Sequence, residues 1–238
     1  MLCAVNKLAS HQAEPSALTV TQANRILQYA AKYPSASILL KASDMQLRCH
    51  SDASYLSEVN SRSRAGGILY LGDADTTTGV HGAIDYLSCI ISTVVSSAAE
   101  AEYAALFLVG REAICANQTL TDLGFPQAAT LIICDNQCAV GIANRSVKQK
   151  RSKAINMRYH WIRDQVDLEA VTIEWQPGAV NLADFFTKNH PTKHHSAMRN
   201  IFVHDKPHEK LPQTCVLAHV AGKITYNDAN NYFNCIAD

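Results

Sequence analysis

Three strand-like runs follow one another before any core helix intervenes, and this order narrows the possible architectures more than any other feature of the chain. MQLRCH (45–50) alternates polar and apolar residues and ends at Ser51-Asp52. AGGILYLG (65–72) and HGAIDYLSCIIS (81–92) come next, joined by the turn-rich DADTTTG. Only then does the pattern alternate. A helix over 98–116 leads through the turn LGFPQ (123–127) to TLIICD (130–135), a continuously apolar strand ending in an acid. A helical NQCAVGIAN, a helix over 152–168 with mixed charges, the strand VTIEW (171–175) and a last helix opened by NLADFFTK complete the series. Such an order predicts an α/β chain with a mixed sheet and helices on its faces.

Upstream, SALTVTQANRILQYAAKY (16–33) reads as an amphipathic helix. Its stripe is Leu18, Ala23, Ile26, Leu27 and Ala30, and it stops before Pro34. The 238 residues suffice for one ordinary domain with flanking pieces. A formal net charge of zero gives no whole-protein field, so any nucleic-acid contact has to come from a local patch. Lys148, Lys150, Arg151 and Lys153 form such a patch, at a predicted helix start where their charge opposes the macrodipole. No apolar run reaches the roughly 18 residues of a membrane-spanning helix, and the first residues lack a signal peptide's pattern. The expectation is an intracellular protein, cytoplasmic or nuclear and not secreted. The eight cysteines show no CxxC spacing, which favours free thiols over a disulfide framework or zinc site.

Four acids fall at element ends: Asp52 after the first strand, Glu102 in the first turns of the 98–116 helix, Asp135 after TLIIC, and Asp184 where the last helix opens. Any one of them is explained well enough as a turn residue or helix cap. Together they suggest a shared site beyond the strand ends. Gathered carboxylates repel and raise each other's pKa, so such a cluster persists when a divalent cation neutralises it. Donors that are all oxygen suit a hard ion, magnesium or manganese.

The segments SDAS, SSAAEAEYAAL, CDNQCAVGIAN, KQKRSK, NMRYHWIRDQV and NLADFFTKNHP, in this order from about residue 46 to 203, closely resemble the ribonuclease H domain of copia-type retrotransposon Pol polyproteins. The resemblance implies a ribonuclease H-like fold: a five-stranded mixed sheet, three antiparallel strands then two parallel, flanked by helices. It implies an endonuclease acting on the RNA strand of RNA–DNA hybrids with two Mg²⁺ (or Mn²⁺) ions held by Asp52, Glu102, Asp135 and Asp184. Asn136 and Gln137, beside Asp135, could touch a minor-groove 2′-hydroxyl of such a hybrid, with helix capping the other reading of Asn136, and the basic patch could hold its phosphates, with a solvated helix start as the alternative. The hybrid is the expected partner, with a reverse transcriptase polymerase domain as a second; no membrane and no small-molecule cofactor is expected. The alternative is a catalytically inactive RNA- or hybrid-binding copy of the same domain.

Residues 1–43 resemble the segment joining polymerase to ribonuclease H, 44–204 form the expected domain, and 205–238 are a polar tail with no readable period. The chain departs from many ribonucleases H in having no histidine-bearing loop between the last strand and Asp184. Glu100 and Glu102, two residues apart, cannot share a helix face. Ser97 and Glu100 have capping-box spacing. Glu102 shares its face with Ala105, Leu106, Val109 and Ala113, so it points to the site. Trp161 and Trp175 are expected in the core, and His194 and His195 on the surface.

Overall fold

The computed structural model describes residues 1–74, 80–146 and 156–205. Two helices, α1 (Leu2–Ala9) and α2 (Ala17–Lys32), precede the sheet. Then come β1 (Gln46–Glu58), β2 (Arg62–Gly72), β3 (Ala83–Ile90), α3 (Ala98–Asp122), β4 (Thr130–Cys134), α4 (Gln137–Ala143), α5 (Asn156–Asp167) and β5 (Val171–Trp175). A short 3₁₀ helix (Leu182–Phe186) and α6 (Thr192–Phe202) end the described chain.

The five strands lie in the order β3-β2-β1-β4-β5. β1 and β2, and β2 and β3, pair antiparallel, while β4 pairs parallel with both β1 and β5. This is the mixed sheet anticipated from the sequence, and its cause is connection length. A short turn joins β1 to β2, as antiparallel neighbours allow, whereas β3 reaches β4 only through the 25 residues of α3.

Alternation along β1 and β2 divides the core between two faces. Leu47, Cys49, Ala65 and Leu69 point to α3, where Tyr103, Leu106, Val109 and Ala113 are fully buried against them, with Ile132 and Ile173 from β4 and β5. On the opposite face Ile68 and Tyr70 meet Phe186 of the 3₁₀ helix and Phe202 of α6. The sheet is thus covered on both sides, and the second cover carries Asp184.

Several expectations are corrected. α3 runs six residues beyond 116, through polar Asn117-Gln118-Thr119, because Leu120 buries beyond them. Asn117 Nδ2 also ties this turn to the Ala128 carbonyl and Thr130 Oγ1 at 3.1 and 2.9 Å. β1 continues past Asp52 to Glu58. NLADFFTK forms a 3₁₀ helix, and a separate helix, α6, follows Pro191. In α2 the expected stripe is split: Ala23 and Ile26 turn inward with Tyr29, whereas Leu18 and Leu27 are each 65% exposed and Ala30 is exposed too. Trp161 packs on Phe107 as a core residue, but Trp175 on the edge strand β5 is 42% exposed.

Residues 1–43 are tied to the sheet by side chains. Arg64, fully buried on β2, donates to Glu58 Oε1 at 2.7 Å and to Asn6 Oδ1 of α1 at 2.6 Å. Arg199 of α6 donates to the Tyr29 hydroxyl of α2 at 2.7 Å and forks onto Asp205. All six cysteines among the described residues are free thiols. Among the described residues no helix is long and apolar enough to cross a membrane.

Candidate metal centre

β1 and β4 run parallel with Ser51 opposite Cys134, so Asp52 and Asp135 are the next residues along neighbouring strands. Adjacent strands lie about 4.8 Å apart, which brings the two carboxyls together at the C-terminal end of the β1–β4 pairing. Asp52 is buried inside β1, whereas Asp135 stands where β4 stops and is half-buried. Glu102 arrives from the first turns of α3. Its carboxyl accepts from the Ala53 backbone N–H, and its Oε2 lies 4.0 Å from Cys134 Sγ. Ligand atoms of Glu102, Cys134 and Asp135 all fall within 4.8 Å of one another.

Asp184 is brought to this end by a set of contacts that clamp its 3₁₀ helix to β1. Asn181 caps that helix, its Oδ1 accepting from the Ala183 N–H at 3.1 Å, while its Nδ2 donates to the Ser51 carbonyl at 2.8 Å. His50 Nδ1 accepts from the Leu182 N–H at 3.2 Å. Thr187 Oγ1 donates to Asp52 Oδ2 at 2.6 Å. Burial pushes His50 down to about 4, so near neutral pH the ring is uncharged and keeps an acceptor for Leu182.

The close approach depends on Gly66, the β2 partner of Asp52. A Cβ there would lie 2.5 Å from Thr187 Cγ2 and 2.8 Å from the Ala183 carbonyl oxygen. Gly66→Ala is therefore expected to lower stability by about 1–3 kcal/mol and to displace the Asp184 helix. Urea denaturation checks the first effect, and loss of whatever metal binding the intact chain shows checks the second.

Burial and mutual proximity raise three of these carboxyls. Burial, then the charges of Asp52, Asp135 and Asp184, push Glu102 up to about 9. Burial also lifts Asp52 to about 6, aided by Asp135 and Asp184 and opposed by the Thr187 hydrogen bond. Asp135 is raised, first by burial and then by Asp184. Lys188 contacts Asp184 Oδ1; burial opposes its charge, but Asp184 and the neighbouring acids outweigh this and hold its pKa up. Three raised carboxyls, Asp52, Glu102 and Asp135, with Asp184 beside them form a hard, oxygen-rich donor set that fits magnesium or manganese.

The other expected residues divide. Ser97 Oγ accepts from the Glu100 N–H at 3.2 Å, but the Glu100 carboxylate reaches one residue further back than a capping box requires. Its Oε2 accepts from both the Ser96 N–H and the Ser96 hydroxyl at 2.7 Å. Glu100 thus serves the helix start while Glu102 faces the cluster. Asn136 caps α4, its Oδ1 accepting from the Ala139 N–H at 3.0 Å, and Gln137 beside it is exposed. Lys148, Lys150, Arg151 and Lys153 lie outside the described residues, as does the tail from 206. His194 is exposed and His195 half-buried, both within α6.

Sequence reasoning missed Asn181, His50, Thr187 and Gly66. Two of them carry a readable signal: an Asn directly before a short helical run is a cap, and glycine inside a strand marks close backbone approach.

No family model matches the chain. It is 32% identical over 163 residues to the Retrovirus-related Pol polyprotein from transposon TNT 1-94 of Nicotiana tabacum, covering 68% of this chain. It is 32% identical over 188 residues to the corresponding polyprotein from transposon RE1 of Arabidopsis thaliana, covering 78%. The chain spans 12% of the length of these curated relatives. Among solved structures, the N-terminal RNase H domain of rv2228c from Mycobacterium tuberculosis is 16% identical, with a TM-score of 0.44 over 66% of this chain and 97% of that one. LC11-RNase H1, solved in complex with an RNA/DNA hybrid, is 14% identical with a TM-score of 0.44 over 59% and 93%. At these values the strand order and pairing, rather than the overlays, define the fold. With its five-stranded ribonuclease H-like sheet, the chain is a homologue of a segment of retrovirus-related Pol polyproteins from plant transposons.

Proposed function

We propose that the chain is a ribonuclease H-type endonuclease that hydrolyses the RNA strand of RNA–DNA hybrids with two magnesium or manganese ions. The observation that carries this reading is the convergence of four acids: Asp52 and Asp135 on the neighbouring parallel strands β1 and β4, Glu102 from α3, and Asp184 on the helix clamped to β1 by Asn181 and Thr187. Homology to retrovirus-related Pol polyproteins from transposons supports a hybrid as substrate over other phosphodiesters.

In this reading Asp52, Glu102, Asp135 and Asp184 would hold the ions. The ions, when bound, lower the pKa of water and neutralise charge on the phosphodiester in the transition state. The chain's own residues prepare that site. Thr187 holds Asp52 in one rotamer, and Asn181 and His50 fix the backbone that presents Asp184. Lys188 holds one oxygen of Asp184. Trp175 braces the end of β4, its Nε1 donating to the Asp135 carbonyl at 2.8 Å. Gly178 leaves room beside Asp135, since a Cβ there would lie 2.6 Å from Oδ2.

Asn136, Gln137, Lys148, Lys150, Arg151 and Lys153 are proposed to contact the hybrid, and a polymerase domain is a proposed partner through residues 1–43. The test is cleavage of an end-labelled RNA in three contexts, paired with DNA, paired with RNA, and single-stranded, with Mg²⁺ or with chelator. Cutting only in the hybrid and only with metal is the expected result. Cutting that persists in chelator would overturn the metal mechanism.

A further inference from the structure

Beside the carboxylate cluster stand two histidines that the proposed reaction does not use. His190 follows the Asp184 helix, and His194 lies in the first turn of α6. Their ring centroids are 4.6 Å apart, tilted by 40°. Ligand atoms of Asp184, His190 and His194 all lie within 4.8 Å of one another.

Each of the three is prepared differently. The His190 side chain is only 5% exposed, and Phe185 stacks on its ring at 5.9 Å and 10°. His190 Nε2 is 2.9 Å from the Asp184 carbonyl oxygen. The same Nε2 is the ring nitrogen that faces the Asp184 carboxylate, so an ion held by Nε2 would replace this hydrogen bond to the carbonyl. On Asp184, Lys188 takes Oδ1, while Oδ2 lies on the histidine side, 3.7 Å from His190 Nε2. His194 is exposed, with the His190 ring as its aromatic neighbour.

We propose that Asp184, His190 and His194 form a site for a borderline transition ion, Zn²⁺ above all, distinct in donor type from the all-oxygen cluster next to it. Two imidazoles and one carboxylate suit zinc far better than magnesium. Three protein ligands leave a fourth position for water. Tetrahedral bonds of roughly 2.0–2.2 Å need ligand atoms about 3.4 Å apart, so the site closes by on the order of 1 Å, a movement the exposed His194 supplies.

Binding at this site stands independently of the proposed nuclease. Its consequence rests on that reading: zinc draws Asp184 away from the magnesium cluster and so inhibits magnesium-supported cleavage.

The experiment titrates Zn²⁺ into the metal-free full chain against a chromogenic chelator, for the native protein, His194→Ala and Asp135→Asn. His194→Ala is expected to weaken the tightest site at least roughly tenfold, and Asp135→Asn to leave it unchanged. Co²⁺ substituted for zinc should give visible absorption of tetrahedral strength in the native chain and lose it in His194→Ala. Equal zinc affinity in the native chain and His194→Ala, or an unchanged cobalt spectrum, would overturn the site. Where hybrid cleavage is observed, zinc inhibition should be relieved in His194→Ala. Equal inhibition in both would overturn the competition for Asp184 while leaving the binding result to stand alone.

Discussion

Asp135→Asn is expected to reduce hybrid cleavage by about a thousandfold or more while the chain stays folded. The substitution keeps the shape of the side chain and removes one anionic ligand. Metal stabilisation of the developing charge is worth several kcal/mol, and about 4 kcal/mol corresponds to three decades of rate. The fold is spared because Asp135 is half-buried at a strand end, and the charge is unfavourable where it stands: burial and Asp184 both raise its pKa. Circular dichroism and the urea midpoint check that the variant is native. A folded Asp135→Asn that cuts as fast as the native chain would remove Asp135 from the site.

The second large effect is a pH dependence of stability without metal. Glu102 has an ordinary value near 4.5 in the unfolded chain and about 9 in the folded one. Between these values the folded state holds a proton that the unfolded state releases, so stability falls as pH rises. The contribution is fully present below pH 4.5 and is lost progressively up to about 9. At 1.36 kcal/mol per unit, the loss between pH 4.5 and 7 is on the order of 3 kcal/mol. Asp52 adds a similar trend in a lower window, from 3.8 to about 6.

Glu102→Gln removes the proton release while retaining size and hydrogen-bonding capacity. In chelator it should match the native chain near pH 4.5 and exceed it at pH 7, by roughly 6–12 °C in thermal midpoint. Added magnesium should shrink that gap, because the cation takes over the neutralisation that the proton otherwise supplies. Parallel pH profiles for the two proteins would mean that Glu102 is not confined with the other acids.

The acids were legible for a plain physical reason. An apolar run such as TLIIC commits a strand, and the acid directly after it must lie at the C-terminal end of that strand. Glu102 was legible because it shares the face of Leu106 and Val109, which are fully buried on the sheet. What escaped was the clamp. Asn181, His50 and Thr187 act across long separations in the chain, and no local pattern pairs residue 50 with residue 182. α6 escaped although His195, Met198, Arg199 and Phe202 recur at helical spacing, because the charged and polar residues between them read as surface. The stripe on α2 misled in the opposite sense: periodicity identified the helix correctly, but nothing among the described residues covers Leu18 or Leu27. Periodicity reports which residues share a face, and only tertiary structure decides whether that face is covered.

Magnesium-dependent thermal stability of the full chain at pH 8 tests the central claim most directly. The claim is that Asp52, Glu102, Asp135 and Asp184 form one divalent-cation site. A cation bound only by the folded state stabilises it by about 1.4 kcal/mol at ten times its dissociation constant, a rise of about 3–6 °C. The account predicts that rise at millimolar Mg²⁺ in the native chain and its loss in Asp135→Asn. An unchanged midpoint in the native chain, or an equal rise in Asp135→Asn, would contradict it.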